Sequence, residues 1–364
     1  MSASMVAAPR ARGASLWSVE RYSPQRKELW DFFVGRATNA TFLFHRDYMD
    51  YHRDRFQDHS LMVFRAGELV AVLPANLASD GALVSHDGLT YGGLATSPEL
   101  TLAKAASCFH LALCHLHSLG ISSLRYKRMP SFYNTRADGD IAYCLFMLKA
   151  ELYRRDCSLA VPLANRLPLQ KRRKRQAIKA QRVGLRVIEE SQFQSFWDEV
   201  LAPRLMTRYG VKPVHTLAEI TLLAAHFPEQ IRQFSVYDRE RIIAGITVYE
   251  TPSVAHAQYI AATDAGRQFG ALDLLVTWLL DERYKNKRFF DFGGSNEQGG
   301  GGLNHGLLAW KEGFGARVFA HDFYELRTAN YPLLEPVFRA HSRPRSQSQD
   351  QYSALTDRVS DLLQ

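Results

Sequence analysis

The residues best suited to chemistry fall in a few short stretches. Six glycines lie between Gly293 and Gly302, after an aromatic run at 288–292 and before an apolar stripe of Leu303, Leu307, Leu308 and Trp310 that ends in Lys311 and Glu312. A strand that runs into a flexible loop and then a helix sets backbone N–H groups at the strand's carboxyl end, where they can hold an anion or a developing oxyanion. Residues 83–94, LVSHDGLTYGGL, gather His86, Asp87, Thr90 and Tyr91 among glycines. That stretch is more polar than a core strand and suits a substrate-facing loop between domains, the plainer alternative being a glycine-rich turn with a satisfied histidine. In Lys171–Arg182 seven of twelve residues are Lys or Arg, over a thin apolar face of Ala177, Ile178 and Ala180. A helix of this kind, ended by Gly184, offers phosphates a cationic surface, unless it is only a solvated face. Arg208, Tyr209, Lys212 and His215 crowd one loop and form a candidate pocket wall.

Several chemistries have no signature here. The chain has no G-x-S-x-G, no zinc triad and no Walker lysine. Cys108, Cys114, Cys144 and Cys157 include no C-x-x-C pair, and His110, His115 and His117 include no i, i+4 pair. Buried reduced thiols and no metal site are the expectation.

The elements that position these residues read as α+β. Residues 17–33 predict a strand and a helix. Residues 39–58 carry an aromatic face that predicts a helix from about His45, packed on the first sheet rather than stacking on nucleic acid. A hairpin over 61–66 and 69–76 turns at Ala66-Gly67-Glu68. An amphipathic helix over 102–119 stops at Gly120, and a strand follows at 121–127. A new strand at 152–162 opens the second half. After the basic helix come helices at 193–209 and 217–227 and antiparallel strands at 231–237, Arg241–Glu250 and Val254–Ala262. A helix over 270–284 leads into the glycine-rich unit, and a strand returns at 318–324.

Length and composition bound the rest. A chain of 364 residues, 46% apolar and 23% charged, suits two domains of an ordinary globular protein. The expected division is 17–150 and 151–330, with disorder at 1–16 and over most of 331–364, apart from a short terminal helix at 355–363. No run approaches the roughly 20 apolar residues that cross a bilayer, and no signal-peptide core opens the chain, so a cytoplasmic location is expected. The net charge of +8 allows a phosphate-bearing substrate or RNA and establishes neither.

The run Phe290-Asp291-Phe292-Gly293-Gly294-Ser295, then Gly306-Leu307, then Trp310-Lys311-Glu312-Gly313-Phe314-Gly315-Ala316, resembles the end of the Fem-like (FemAB/FemX-type) branch of the GNAT acyltransferase superfamily. Residues 85–93 are similar to a segment of bacterial members of that group. The resemblance implies two GNAT-like domains, each a mixed, mostly antiparallel sheet flanked by helices. It implies that Arg172, Arg173, Arg175 and Lys179 face the phosphates of a nucleotide-linked or tRNA-linked substrate, although the long tRNA-binding arm of some members has no room here. The acyl-CoA members open a helix with Q/R-x-x-G-x-G/A; Arg267 and Gly270 fit that pattern, while Leu272 takes the last small position and is expected to crowd a pyrophosphate. Lys311, with Trp310 beside it, inherits the role of stabilising the tetrahedral oxygen or holding the donor's phosphate end.

Acyl transfer to an amine needs alignment, removal of a proton and charge stabilisation, with no covalent nucleophile. His86, Asp87 and Tyr259 are the candidate proton acceptors, none ranked above the others. His86, Asp87, Tyr91, Arg208 and Tyr209 are the further candidates for the substrate. The implied function is N-acyl or aminoacyl transfer to an amine, on a nucleotide- or lipid-linked sugar in envelope polysaccharide or peptidoglycan synthesis. Acyl-CoA and aminoacyl-tRNA both remain as co-substrates. The alternatives are an acyl-CoA-dependent N-acetyltransferase and a non-catalytic phosphate- or RNA-binding protein on the same frame.

Overall fold

The computed structural model describes residues 16–137, 139–297 and 302–339. The two expected disordered ends, but for residues 16 and 331–339, the helix expected at 355–363 and the middle of the glycine-rich loop lie outside the described residues.

The first half is built on the expected hairpin. Strands Leu61–Arg65 and Glu68–Leu73 join through Ala66 and Gly67 at φ 52° and 83°, the backbone of a tight turn whose twist matches the strands. Strands Trp17–Arg21 and Ala95–Thr96 complete a four-stranded sheet. Its side chains alternate between two buried faces. Leu61, Val63 and Leu73 meet Phe109, Leu113 and Leu116 of helix Leu102–Ser118, whereas Met62, Phe64 and Val72 meet Trp30 and Phe44.

The helix expected from His45 is cut short. Helix Arg46–Met49 is one turn flanked by 3-10 turns, with Phe42, Phe44, Tyr48 and Met49 in the core. A buried Arg46 dictates the bend: it pairs with Asp50 and Asp58 and lies 3.8 Å from the Tyr22 ring centre, while Asp31 accepts its backbone N–H at 2.7 Å. Meeting those partners outweighs helical propensity.

The second half supplies strands Arg186–Glu190, Ile231–Asp238, Arg241–Glu250 and Val254–Ala262, antiparallel in succession. Strand Phe289–Gly294 lies parallel to the last of these and antiparallel to Glu151–Pro162. Strand Arg317–Arg327 then pairs with Glu151–Pro162 on one side and with Ser123–Lys127 of the first half on the other. Among the described residues one sheet of eleven strands therefore runs through both halves. Past Arg327 the chain stays with the first half, where Leu334 joins Leu326 against helix Leu102–Ser118.

Helices Lys171–Arg182 and Ala271–Trp278 cover the outer face of the second half, packing Ala180, Ala271 and Leu275 on Phe234 and Ile246. Between the halves sits an aromatic core in which Phe42 meets Phe227 and Tyr249 at 5.3 and 5.5 Å between ring centres.

Gly92 is where the two halves of the 83–94 stretch cross. Its N–H donates to the Lys127 carbonyl at 2.8 Å, and a Cβ there would lie 1.6 Å from the Ser85 carbonyl oxygen. Gly92→Ala is expected to lower stability by about 3 kcal/mol or more, the upper end for overpacking, read as a fall in the urea midpoint with an unchanged slope.

Candidate active site

Strands Val254–Ala262 and Phe289–Gly294 pair at Val254↔Phe289, Ala255↔Phe290 and His256↔Asp291, and then part. Three features open the gap. The first strand shifts register against Arg241–Glu250 between Thr247 and Val248, so Gln258 is an extra residue. Gly293 turns the second strand at φ +70°. Lys311, only 2% exposed, donates from Nζ to the carbonyl oxygens of Gly293 at 3.0 Å and Gly294 at 2.6 Å, drawing the strand end toward its own helix, His305–Glu312.

At the last paired position Asp291 is buried and fully engaged. Its Oδ2 accepts from the Tyr133 hydroxyl at 2.6 Å and from His256 Nδ1 at 2.8 Å; its Oδ1 accepts from the Gly293 N–H at 2.8 Å and the Ser158 hydroxyl at 3.2 Å. Burial pushes this carboxyl up, but His256, the Tyr133 hydroxyl and the Gly293 N–H outweigh it and hold it below the usual range. The other ring nitrogen of His256, Nε2, lies 3.1 Å from the Gln258 amide oxygen. An oxygen at each nitrogen gives a proton taken up by the ring a partner at either end.

His256, Gln258, Asp291 and Ser158 face a cavity of about 310 Å³, closed on the other side by Tyr91 and Tyr133 of the first half and by His321. The Nε2 of His321 is buried without a partner among the described residues, and burial pushes that ring down to about 4, so it stays neutral. The arrangement can take a proton from a bound nucleophile while a buried anion holds the acceptor ring.

A larger cavity of about 740 Å³ lies on the helix-covered side of the same sheet, lined by Arg172, Arg173, Arg267, Gly270, Leu272 and Trp310 among others. Gly270, at φ +78°, ends helix Asp264–Phe269 and immediately precedes Ala271–Trp278; a Cβ on it would meet the Gln176 carbonyl oxygen at 2.9 Å. Glycine thus lets the basic helix and the turn close together. Arg173 is partly spent on Asp273, 2.7 Å away in a buried pair; burial pushes the Asp273 carboxyl up, against the pull of Arg173. Leu272 forms wall rather than plug, half-buried against the core, so the crowding expected of it does not close the cavity.

The structure thus gathers Arg172, Arg173, Arg267, Gly270 and Trp310 around one cavity and Tyr91 at the other. Several other candidates sit elsewhere. Arg175 points to solvent outside both cavities, and Lys179 donates to the Gln268 carbonyl at 3.0 Å, fastening the basic helix to the turn. His86 is buried against His52, its Nδ1 accepting from the Gly88 N–H at 3.2 Å, and burial pushes it well below the usual imidazole range. Asp87 is exposed, and Arg208 and Tyr209 lie exposed on helix Ala202–Tyr209. The Tyr259 hydroxyl is committed to His215 Nδ1 at 2.5 Å. Lys311 lines neither cavity, because its ammonium is turned to the two glycine carbonyls.

The residues missed are His256, Asp291, Tyr133, Ser158 and His321. Asp291 lies inside the Phe290–Ser295 motif, and His256 and Gln258 are the polar interruptions of an otherwise apolar strand. Tyr133 had no signal, since its approach depends on how the halves meet.

Residues 170–312 match the model of the acetyltransferase (GNAT) domain family. FemX shares the fold at a TM-score of 0.61 with 11% identity, the match covering 88% of this chain and 100% of that one. L-PGS from Bacillus licheniformis shares it at 0.51 with 11% identity, over 88% of this chain and 99% of that one. No curated protein matches the chain. Residues 170–312 thus match a GNAT domain, and the chain as a whole shares the α+β fold of FemX. Among the described residues, no helix is long and apolar enough to cross a membrane.

Lys311 also sets a pH dependence. Burial pushes its ammonium down from 10.5 to about 8, against the pull of Asp291, and burial does the same to Lys127, whose Nζ donates to the His86 and Leu89 carbonyls. Below pH 8 both lysines are charged, folded or unfolded; above it the unfolded chain binds more protons, so stability rises with pH. Each is expected to add on the order of 2 kcal/mol between pH 8 and 9.5. Urea unfolding across that range should show the rise, and Lys311→Met should remove about half of it.

Proposed function

We propose that the chain transfers an acyl group to an amine, with His256 as the proton acceptor. The carrying observation is the His256–Asp291 pair at the point where two parallel strands part, facing a cavity closed by the other half. Beyond that point both strands have backbone groups free of each other, where a donor's carbonyl can lie and its developing negative charge can be met by N–H groups. The acceptor's amine lies in the smaller cavity. As its nitrogen attacks, the proton passes to His256, whose cation Asp291 holds, and the same proton then returns to the leaving group.

The donor bears phosphate. Arg172 and Arg267 and the start of helix Ala271–Trp278 line the larger cavity, and a helix N-terminus with guanidiniums beside it suits a pyrophosphate. The acceptor amine belongs to a nucleotide- or lipid-linked sugar of envelope polysaccharide or peptidoglycan, made in the cytoplasm. An acyl-CoA donor is the reading favoured by Arg267, Gly270 and the open space beside Leu272; aminoacyl-tRNA is the other, favoured by the exposed basic face of Lys171–Arg182.

Release of CoA thiol from acyl-CoA with amino-sugar acceptors, together with mass spectrometry of small molecules that co-purify, tests this. His256→Ala is expected to lower kcat by about 10²–10⁴ with donor binding retained, and Asp291→Asn to act in the same direction. Arg267→Ala and Arg172→Ala are expected to raise the donor's KM by about tenfold with kcat little changed. Full activity in His256→Ala would remove the proposed mechanism.

A further inference from the structure

The segment between Val200 and Ala218 contains no acidic residue. Its helix, Ala202–Tyr209, has no buried side chain; Leu205 rests on the aromatic core between the halves, and the opposite side faces solvent. On and after that side stand Met206 at 50% exposure, Tyr209 at 55%, Val211 at 43% and Val214 at 74%. Gly210, left-handed at φ +66°, turns the chain between them. Arg208 and Lys212 are exposed among these apolar groups, and neither forms an ion pair among the described residues. The protruding tip has a firm base, because the next residue, His215, is buried with Tyr259 on its ring and Trp197 Nε1 on its carbonyl at 3.1 Å.

We propose that this tip is a docking point for an anionic lipid surface, with Met206, Tyr209, Val211 and Val214 entering the headgroup layer and Arg208 and Lys212 meeting lipid phosphates. Apolar side chains interleaved with cations that have no carboxylate partner among the described residues, one of them lying 5.3 Å from the Tyr209 ring centre, suit that boundary, where one end of the patch becomes dry and the other stays wet. A second copy of the chain is the poorer occupant. Four side chains cover far less than the roughly 800 Å² per partner of a standard interface, and the patch's own cations would face each other.

Co-sedimentation of the full chain with vesicles of mixed phosphatidylglycerol and phosphatidylcholine, against phosphatidylcholine alone, tests the proposal. Binding is expected to the anionic vesicles and to weaken as salt is raised. The double variant Tyr209→Asp with Val214→Asp is expected to lose at least about tenfold in partitioning, and Arg208→Gln with Lys212→Gln to lose binding and flatten the salt dependence. Circular dichroism and thermal unfolding should match the wild type, since the altered side chains are exposed. Equal binding to both vesicle types, or variants that bind as the wild type does, would overturn the proposal. So would a lipid-free dimer that the aspartate variants dissolve, which would make the tip a contact between copies. Acyl transfer to a soluble acceptor is expected to be unchanged in these variants, so the docking and the chemistry stand or fall separately.

Discussion

A carboxylate at 2% exposure needs its lone pairs met from within the protein, and Asp291 meets them from four separate places. Tyr133 reaches it from the first half, Ser158 from the long strand beside it, His256 from the strand on its other side and the Gly293 N–H from its own strand end. Removing one partner from such a buried charge costs about 3–5 kcal/mol, so the carboxylate ties the halves together as firmly as it orients the imidazole. The geometry of the candidate site and the seating of one half on the other are therefore the same constraint.

That constraint works because the neighbouring strands are prevented from closing. A register shift beside Gln258, a left-handed glycine at 293 and the ammonium of Lys311 under the next two carbonyls each bend the sheet away from regular pairing. Lys311 holds the strand end through its two bonds to backbone carbonyls. Its burial is unfavourable to the charge, and the two carbonyls are what it gains in exchange. The sheet's two sides then have different characters. The cavity on the helix-covered side is cationic, with Arg172 and Arg267 around Gly270, and the smaller cavity between the halves is lined by aromatic and uncharged groups apart from the Asp291 cluster.

Local pattern carried much of this into the sequence. The Ala66–Gly67 turn, the stop at Gly120, the basic helix with its glycine end and the strand succession from 231 to 262 all follow from short-range rules and appear as expected. The larger cavity was legible for the same reason, since Arg172, Arg173 and Arg267 lie in motifs that fold locally. What was not legible depends on residues far apart in sequence. Arg46 bends the expected helix because Asp58 and Tyr22 lie near it, and Tyr133 finds Asp291 across 158 positions. The histidines also show the limit of residue type as a guide. His86, in a conspicuous polar stretch, is packed away beside His52, while His256, one of two polar interruptions of an apolar strand, faces the open space.

Strand Arg317–Arg327 has partners on both flanks, one from each half. To swing the halves apart would mean breaking a continuous ladder of backbone bonds, so the molecule is a braced block rather than a pair of jaws.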